Sequence, residues 1–161
     1  MLIVVMAALI PLVMGFIWYN PKLFGKAWMQ ASGLTEEKMK GANMLVIFGV
    51  TFLLSFFFAF GMQFITIHQF HINSLFYRQD ISDPNSEAGA FYKSIMDKLG
   101  GNFRTFKHGV AHGLLACIAT VMPVITINAL FERKGFKYIA INVGYWLVCM
   151  MLMGGVICAF T

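Results

Sequence analysis

Four histidines fall in two closely spaced pairs, His68 with His71 and His108 with His112. Residues three or four apart share a helical face, so each pair can present two imidazoles in one direction. Should the pairs converge, they offer up to four neutral nitrogens, a ligand set suited to a divalent transition metal. Gln63 and Thr66 lie just before the first pair and can act as partners that orient the rings. The competing role is interfacial, because histidine is at home where a membrane meets water. An HxxxH pair without the intervening glutamate of a zinc protease specifies no hydrolysis. His112 stands apart from the others, since it falls about one turn inside an apolar run, where an imidazole needs a partner.

No other constellation carries visible chemistry. The sequence holds no glycine-rich phosphate loop, no nucleophile elbow and no pair of acids inside an apolar run, so nucleotide-driven, hydrolytic and proton-coupled mechanisms lack their machinery. Cys117, Cys149 and Cys158 all lie in apolar runs without a CxxC spacing and read as small buried hydrophobes. No resident cofactor is expected.

The elements that must position the histidines are transmembrane helices. The chain is 59% hydrophobic and 12% charged with a mean hydropathy of +0.73, against roughly a quarter charged in globular proteins. A helical span needs about 20 apolar residues, and four segments meet that length: Leu2 to Tyr19, Asn43 to Ile67, Gly109 to Phe131 and Ile139 to Phe160. The expected fold class is therefore all-α, a polytopic membrane protein of four transmembrane helices forming a single integral membrane domain over residues 1–161. The first segment lacks a basic leader and a small-residue cleavage site, so it is expected to be retained.

Between the spans, two amphipathic helices are expected at the interface. One covers about residues 21–32, with Asn20 as cap, Pro21 at the first position and Gly33 as the stop. Trp18, Tyr19 and Trp28 are placed as aromatic interface anchors. Thr35 offers a further cap, followed by Glu36 and Glu37 in a first turn that is expected to lead into the second span. The other amphipathic helix covers about residues 86–99, where Ala88, Phe91, Tyr92, Ile95, Met96 and Leu99 recur at helical spacing between Ser86 and Gly100. The two short loops carry Lys22, Lys26, Lys38, Lys40, Arg133, Lys134 and Lys137, and the middle loop carries Arg78, Lys93, Lys98, Arg104 and Lys107 with four acids. The positive-inside rule then puts the short loops in the cytoplasm, and both termini with all four histidines outside. The net charge of +5 is spread around the span ends and forms no stripe for nucleic acid.

Small residues mark where the spans can approach: Gly109 with Gly113, Ala140 with Gly144, and Gly155 with Ala159. Asn128 and Asn142 are expected at similar depth, hydrogen-bonding across the last two spans. Pro11 and Pro123 predict kinks.

The segment GFIWYNPKLFGKAW, Gly15 to Trp28, resembles a domain-of-unknown-function family of small four-helix bacterial inner-membrane proteins. FKHGVAHG, Phe106 to Gly113, and ALFERKG, Ala129 to Gly135, are similar to that family's third span and following turn. The resemblance implies a four-helix membrane fold in a bacterial inner membrane and brings no activity or catalytic residues. The segment from His68 to about Asn102 looks longer than in the shorter members. The leading expectation is a non-enzymatic scaffold or accessory subunit, partnered by the lipid bilayer and by copies of itself or other membrane subunits. The alternative is a small transporter or a metal- or cofactor-binding protein that uses the outer histidines.

Overall fold

The computed structural model describes the backbone of residues 1–161 and every side chain except that of Glu36. All regular structure among the described residues is helical. Helix α1 (Leu2–Trp18) is followed by the short helices α2 (Gly25–Ser32) and α3 (Glu36–Met39), then by α4 (Met44–Thr66) and α5 (His68–Leu75). Helix α6 (Glu87–Leu99) precedes α7 (Phe106–Ala116), which continues through a π-helical turn (Cys117–Val121) into α8 (Met122–Phe131); α9 (Phe136–Phe160) closes the chain.

Three helical runs are long and apolar enough to cross a membrane: Met44–Thr66, Phe106–Phe131 and Phe136–Phe160. The expectation of four spans is thus met by three on length and composition. Helix α1 is apolar but has 17 residues. It stops at Trp18, where the chain turns over Tyr19 and Asn20. It still packs lengthwise and antiparallel on its neighbours, with Phe16 against Phe48 of α4 and Tyr145 of α9 donating to the Pro11 carbonyl at 2.7 Å.

The tightest seam joins α7 to α9, running antiparallel. A Cβ on Gly109 would lie 2.6 Å from Cys158 Cβ, and one on Gly113 would lie 2.7 Å from the Met150 carbonyl carbon. Glycine at both positions lets the two backbones touch, which is how helices associate where apolar side chains gain nothing by leaving lipid. A Cβ on Gly144 would lie 3.0 Å from the Trp18 ring and one on Gly155 would meet Phe106, whereas Ala140 is exposed. Pro123 removes one backbone donor, and the ladder adjusts just before it: the Met122 N–H reaches back to the Cys117 carbonyl, and the Thr120 hydroxyl takes the Ala116 carbonyl at 2.6 Å.

The connecting helices differ from expectation in detail. Helix α2 starts at Gly25 rather than Pro21, because residues 20–24 form a turn in which the Asn20 side chain accepts from Lys22 N–H and its carbonyl from Leu23 and Gly25 N–H. Gly33 ends α2 in the left-handed conformation at φ 75°, as expected. The Glu36 side chain, expected in a first turn, lies outside the described residues. Helix α3 does not run into the second span; Asn43 caps a separate α4 through Val46 N–H. Helix α6 matches its expected bounds, with Ser86 accepting from Gly89 N–H at 2.9 Å and Phe76 packed against Phe91 and Tyr92.

Candidate metal centre

The site is built at a break in a helix. Helix α4 stops at Thr66, Ile67 is extended (φ −109°, ψ 100°), and α5 restarts at His68. The last carbonyls of a stopped helix have no ladder partner and must find one. Here His71 Nε2 donates to the Phe64 carbonyl at 2.6 Å, and the Cys158 thiol donates to the Thr66 carbonyl at 3.4 Å. The Thr66 hydroxyl, buried, bonds back to Met62 within α4. Two of the freed carbonyls therefore draw in side chains, from α5 and α9.

That arrangement gathers three of the four histidines. His68, His108 and His112 each bring one ring nitrogen to within 4.8 Å of the other two. The Nε2 atoms of His68 and His108 are 2.9 Å apart, and the ring centroids lie 4.5–5.0 Å from one another. Thr105 caps α7 by accepting from His108 N–H, which fixes the turn that carries His108 and His112 on one face. Phe103 covers the open side, 5.0 Å from His108 and 5.7 Å from His68 by ring centroid. Its backbone is left-handed at φ 63°, and its carbonyl accepts from the Cys158 thiol at 3.2 Å. A cavity of about 310 Å³ adjoins the cluster, lined by His68, Gln69, Ile72, Leu99, Asn102 and Phe103. Gln69 ties its far wall, donating to the carbonyls of Gly100 and Asn102.

The donor set fits a metal. Tetrahedral coordination with metal–nitrogen bonds of about 2.0–2.1 Å puts ligand nitrogens roughly 3.3 Å apart, and the observed spacing brackets that value. Small ring rotations suffice. Three protein nitrogens leave a fourth position for water or another ligand.

Other residues singled out by sequence are placed differently. His71 does not join the cluster, because its nitrogen is committed to the Phe64 carbonyl at the end of α4. Two of the four acids in the middle loop, Asp80 and Asp83, share a turn in which Asp80 accepts from Ser82 and from the Asp83 N–H. Asn128 and Asn142 line one cavity of about 220 Å³ without bonding each other. Asn142 instead accepts from the Tyr19 hydroxyl at 3.0 Å and donates to the Tyr138 carbonyl. Trp18 and Tyr19 tie helices together: Trp18 Nε1 donates to the Ile141 carbonyl, and Tyr19 packs on Trp28 and Tyr145. The helix break, Phe103 and Cys158 were invisible as site features in the sequence, which has no proline or glycine at Thr66–Ile67.

An all-helical chain with three membrane-length apolar helices and a polar histidine cluster at one end defines a class of helical membrane protein. Within it, the chain belongs to the family described as protein of unknown function (DUF1761), whose model matches residues 2–158. The matched range takes in both GFIWYNPKLFGKAW and FKHGVAHG, and the segment from His68 to Asn102 lies inside it. Neither the curated proteins nor the solved structures contain a match.

Proposed function

We propose that this protein is a four-span integral protein of a bacterial inner membrane that binds a transition-metal ion with His68, His108 and His112. The observation that carries this reading is the convergence of three ring nitrogens, from segments 40 residues apart, within 4.8 Å at a helix break. Helix α1 serves as the fourth span, since at about 1.5 Å per residue it covers roughly 25 Å and lies along α4 and α9. The basic short loops set the histidine end and both termini outside. The role proposed for the three histidines is to bind the ion.

The scaffold reading has its own support. Leu45, Val50, Leu53, Leu54 and Phe57 of α4 are at least half exposed, and lipid, a second copy or another subunit must cover them. It names no site, so the metal reading takes precedence.

The test is metal analysis and native mass spectrometry of protein extracted from its own membrane in mild detergent. About one metal per chain, lost in His112→Ala, supports the reading. Protein that stays metal-free after exposure to micromolar zinc, copper and nickel salts refutes it and leaves the scaffold role.

A further inference from the structure

Helix α4 packs on α7 but makes no comparable contact with α8. The π-helical turn and Pro123, both of which bend helices, lie where α7 passes into α8. The space left between α4 and α8 holds a cavity of about 570 Å³, walled by Leu54 and Phe58 on one side and by Val124 and Ile125 on the other, with Trp146 of α9 against both. Ile125 and Trp146 also line the cavity of about 220 Å³ that contains Asn128 and Asn142, together with Glu132 and Tyr138. The two cavities therefore adjoin, the first apolar and at mid-span, the second polar and at the end opposite the histidines.

Polar groups along this groove lack partners within the protein. Ser55 is 3% exposed and lines the apolar part, yet its hydroxyl is bonded to no group among the described residues. A hydroxyl in so dry a place normally bonds back to its own helix, as those of Thr66 and Thr120 do. Trp146 Nε1 and the Asn128 amide, further along, are likewise unbonded among the described residues. Glu132 makes no ion pair among them, and Lys134, two residues on, is committed to the Ser32 carbonyl.

The dimensions and the chemistry both fit a lipid of one leaflet. From Thr120, at the deep end, to Glu132 the groove covers about 18 Å at roughly 1.5 Å per residue, close to half of a hydrocarbon core about 30 Å thick. A protein helix about 10 Å across would displace roughly 1,400 Å³ over that length, so a second protein segment does not enter. At the polar end the Glu132 carboxylate attracts a cation and accepts its N–H groups, while Asn128 and Trp146 can donate to phosphate and ester oxygens. We propose that the groove holds one phospholipid whose headgroup carries a primary ammonium. One acyl chain passes between α4 and α8 as far as Ser55, and Glu132 binds the ammonium beside Asn128 and Tyr138. This site is separate from the histidine centre and lies at the other end of the same helices.

Native mass spectrometry of the full-length protein, released from nanodiscs of equal parts phosphatidylethanolamine, phosphatidylcholine and phosphatidylglycerol, tests it. The expected result is one lipid retained per chain, with phosphatidylethanolamine favoured over phosphatidylglycerol by about tenfold, the factor that one charge-assisted hydrogen bond supplies. Phosphatidylcholine should fall between them, because its ammonium has no N–H to donate. Glu132→Gln should abolish the preference while a lipid stays bound. Val124→Trp, at a position 59% exposed and so outside the core, should fill the groove and release the lipid. Absence of retained lipid, retention without headgroup preference, a preference that survives Glu132→Gln, a lipid that survives Val124→Trp, or a second copy of the chain in its place overturns the proposal. Metal content at the histidines is independent of each of these results.

Discussion

Gly113→Ala puts the α7–α9 seam to a test in which two effects have opposite signs. In an isolated helix the change is favourable by about 0.8–1.0 kcal/mol, because alanine is the better helix former. At Gly113, however, the new methyl would lie 2.9 Å from Met151 Cα and 2.7 Å from the Met150 carbonyl carbon. Carbon–carbon contact needs about 3.5–4.0 Å, so the helices must separate by roughly 1 Å at a point where the obstacle is backbone and cannot rotate away. Overpacking of this kind costs typically 1–3 kcal/mol, which exceeds the propensity gain. Because the obstacle is backbone, the upper end of that range applies, and a net destabilisation of about 2 kcal/mol is expected, measured as reversible unfolding in bicelles. His112 is the adjacent residue, so the shift also pulls it away from His68 on α5, and metal affinity should fall about tenfold, equivalent to 1.4 kcal/mol. Gly61→Ala is the control: its added methyl meets nothing within 4 Å, so only the propensity gain remains. Gly113→Ala protein as stable as the wild type, or more so, would refute the close-packed seam.

His71→Ala should leave metal stoichiometry unchanged, since His71 is occupied with the Phe64 carbonyl, while raising amide exchange around Phe64 to Leu75; loss of metal would place His71 among the ligands. Tyr145→Phe removes the hydroxyl bonded to Pro11 and should cost about 0.6 kcal/mol, the average for polar contacts in membrane bundles; no change in unfolding would show that α1 is held by packing alone. The Asp80 carboxyl is held below the usual carboxylate range first by the Ser82 hydroxyl and then by the backbone N–H groups of Asp83 and Ser82. A carboxylate with a depressed folded-state pKa stabilises its turn fully above the unfolded value and loses that contribution as pH falls through the folded one. Amide protection at Ser82 and Asp83 should therefore decline below about pH 4, and Asp80→Asn should remove the pH dependence; a turn equally protected at pH 2 would contradict it.

What the sequence made legible was whatever local chemistry decides. Ser86, the spacing from Ala88 to Leu99, and Gly100 bound α6 almost to the residue, because cap, period and stop are all encoded within the helix itself. The apolar runs disclosed the long helices for the same reason. The features it concealed depend on partners far along the chain. Trp18 and Tyr19 bond to Ile141 and Asn142, each 123 residues away, and no local pattern announces those partners. Asn128 and Asn142 were paired by depth, but depth says nothing of azimuth, and Tyr19 reached Asn142 instead. The histidines show both sides of this division. HxxxH placed His108 and His112 on one face from spacing alone, whereas the choice between His68 and His71 turned on a break that no glycine or proline announces.

That break links the fold to the proposed chemistry. Had α4 continued through Ile67, its own ladder would have satisfied the carbonyls of Phe64, Ile65 and Thr66, and nothing would have drawn histidine or cysteine to them. Stopping the helix frees acceptors at the end of a membrane-length segment, and two of them recruit side chains from other helices: His71 from α5 and Cys158 from α9. The same change of direction starts α5 at His68 and brings its ring against His108. His71 ends its role at that carbonyl, whereas His112, one turn further along α7 than His108, brings a ring nitrogen to within 4.8 Å of those of His68 and His108.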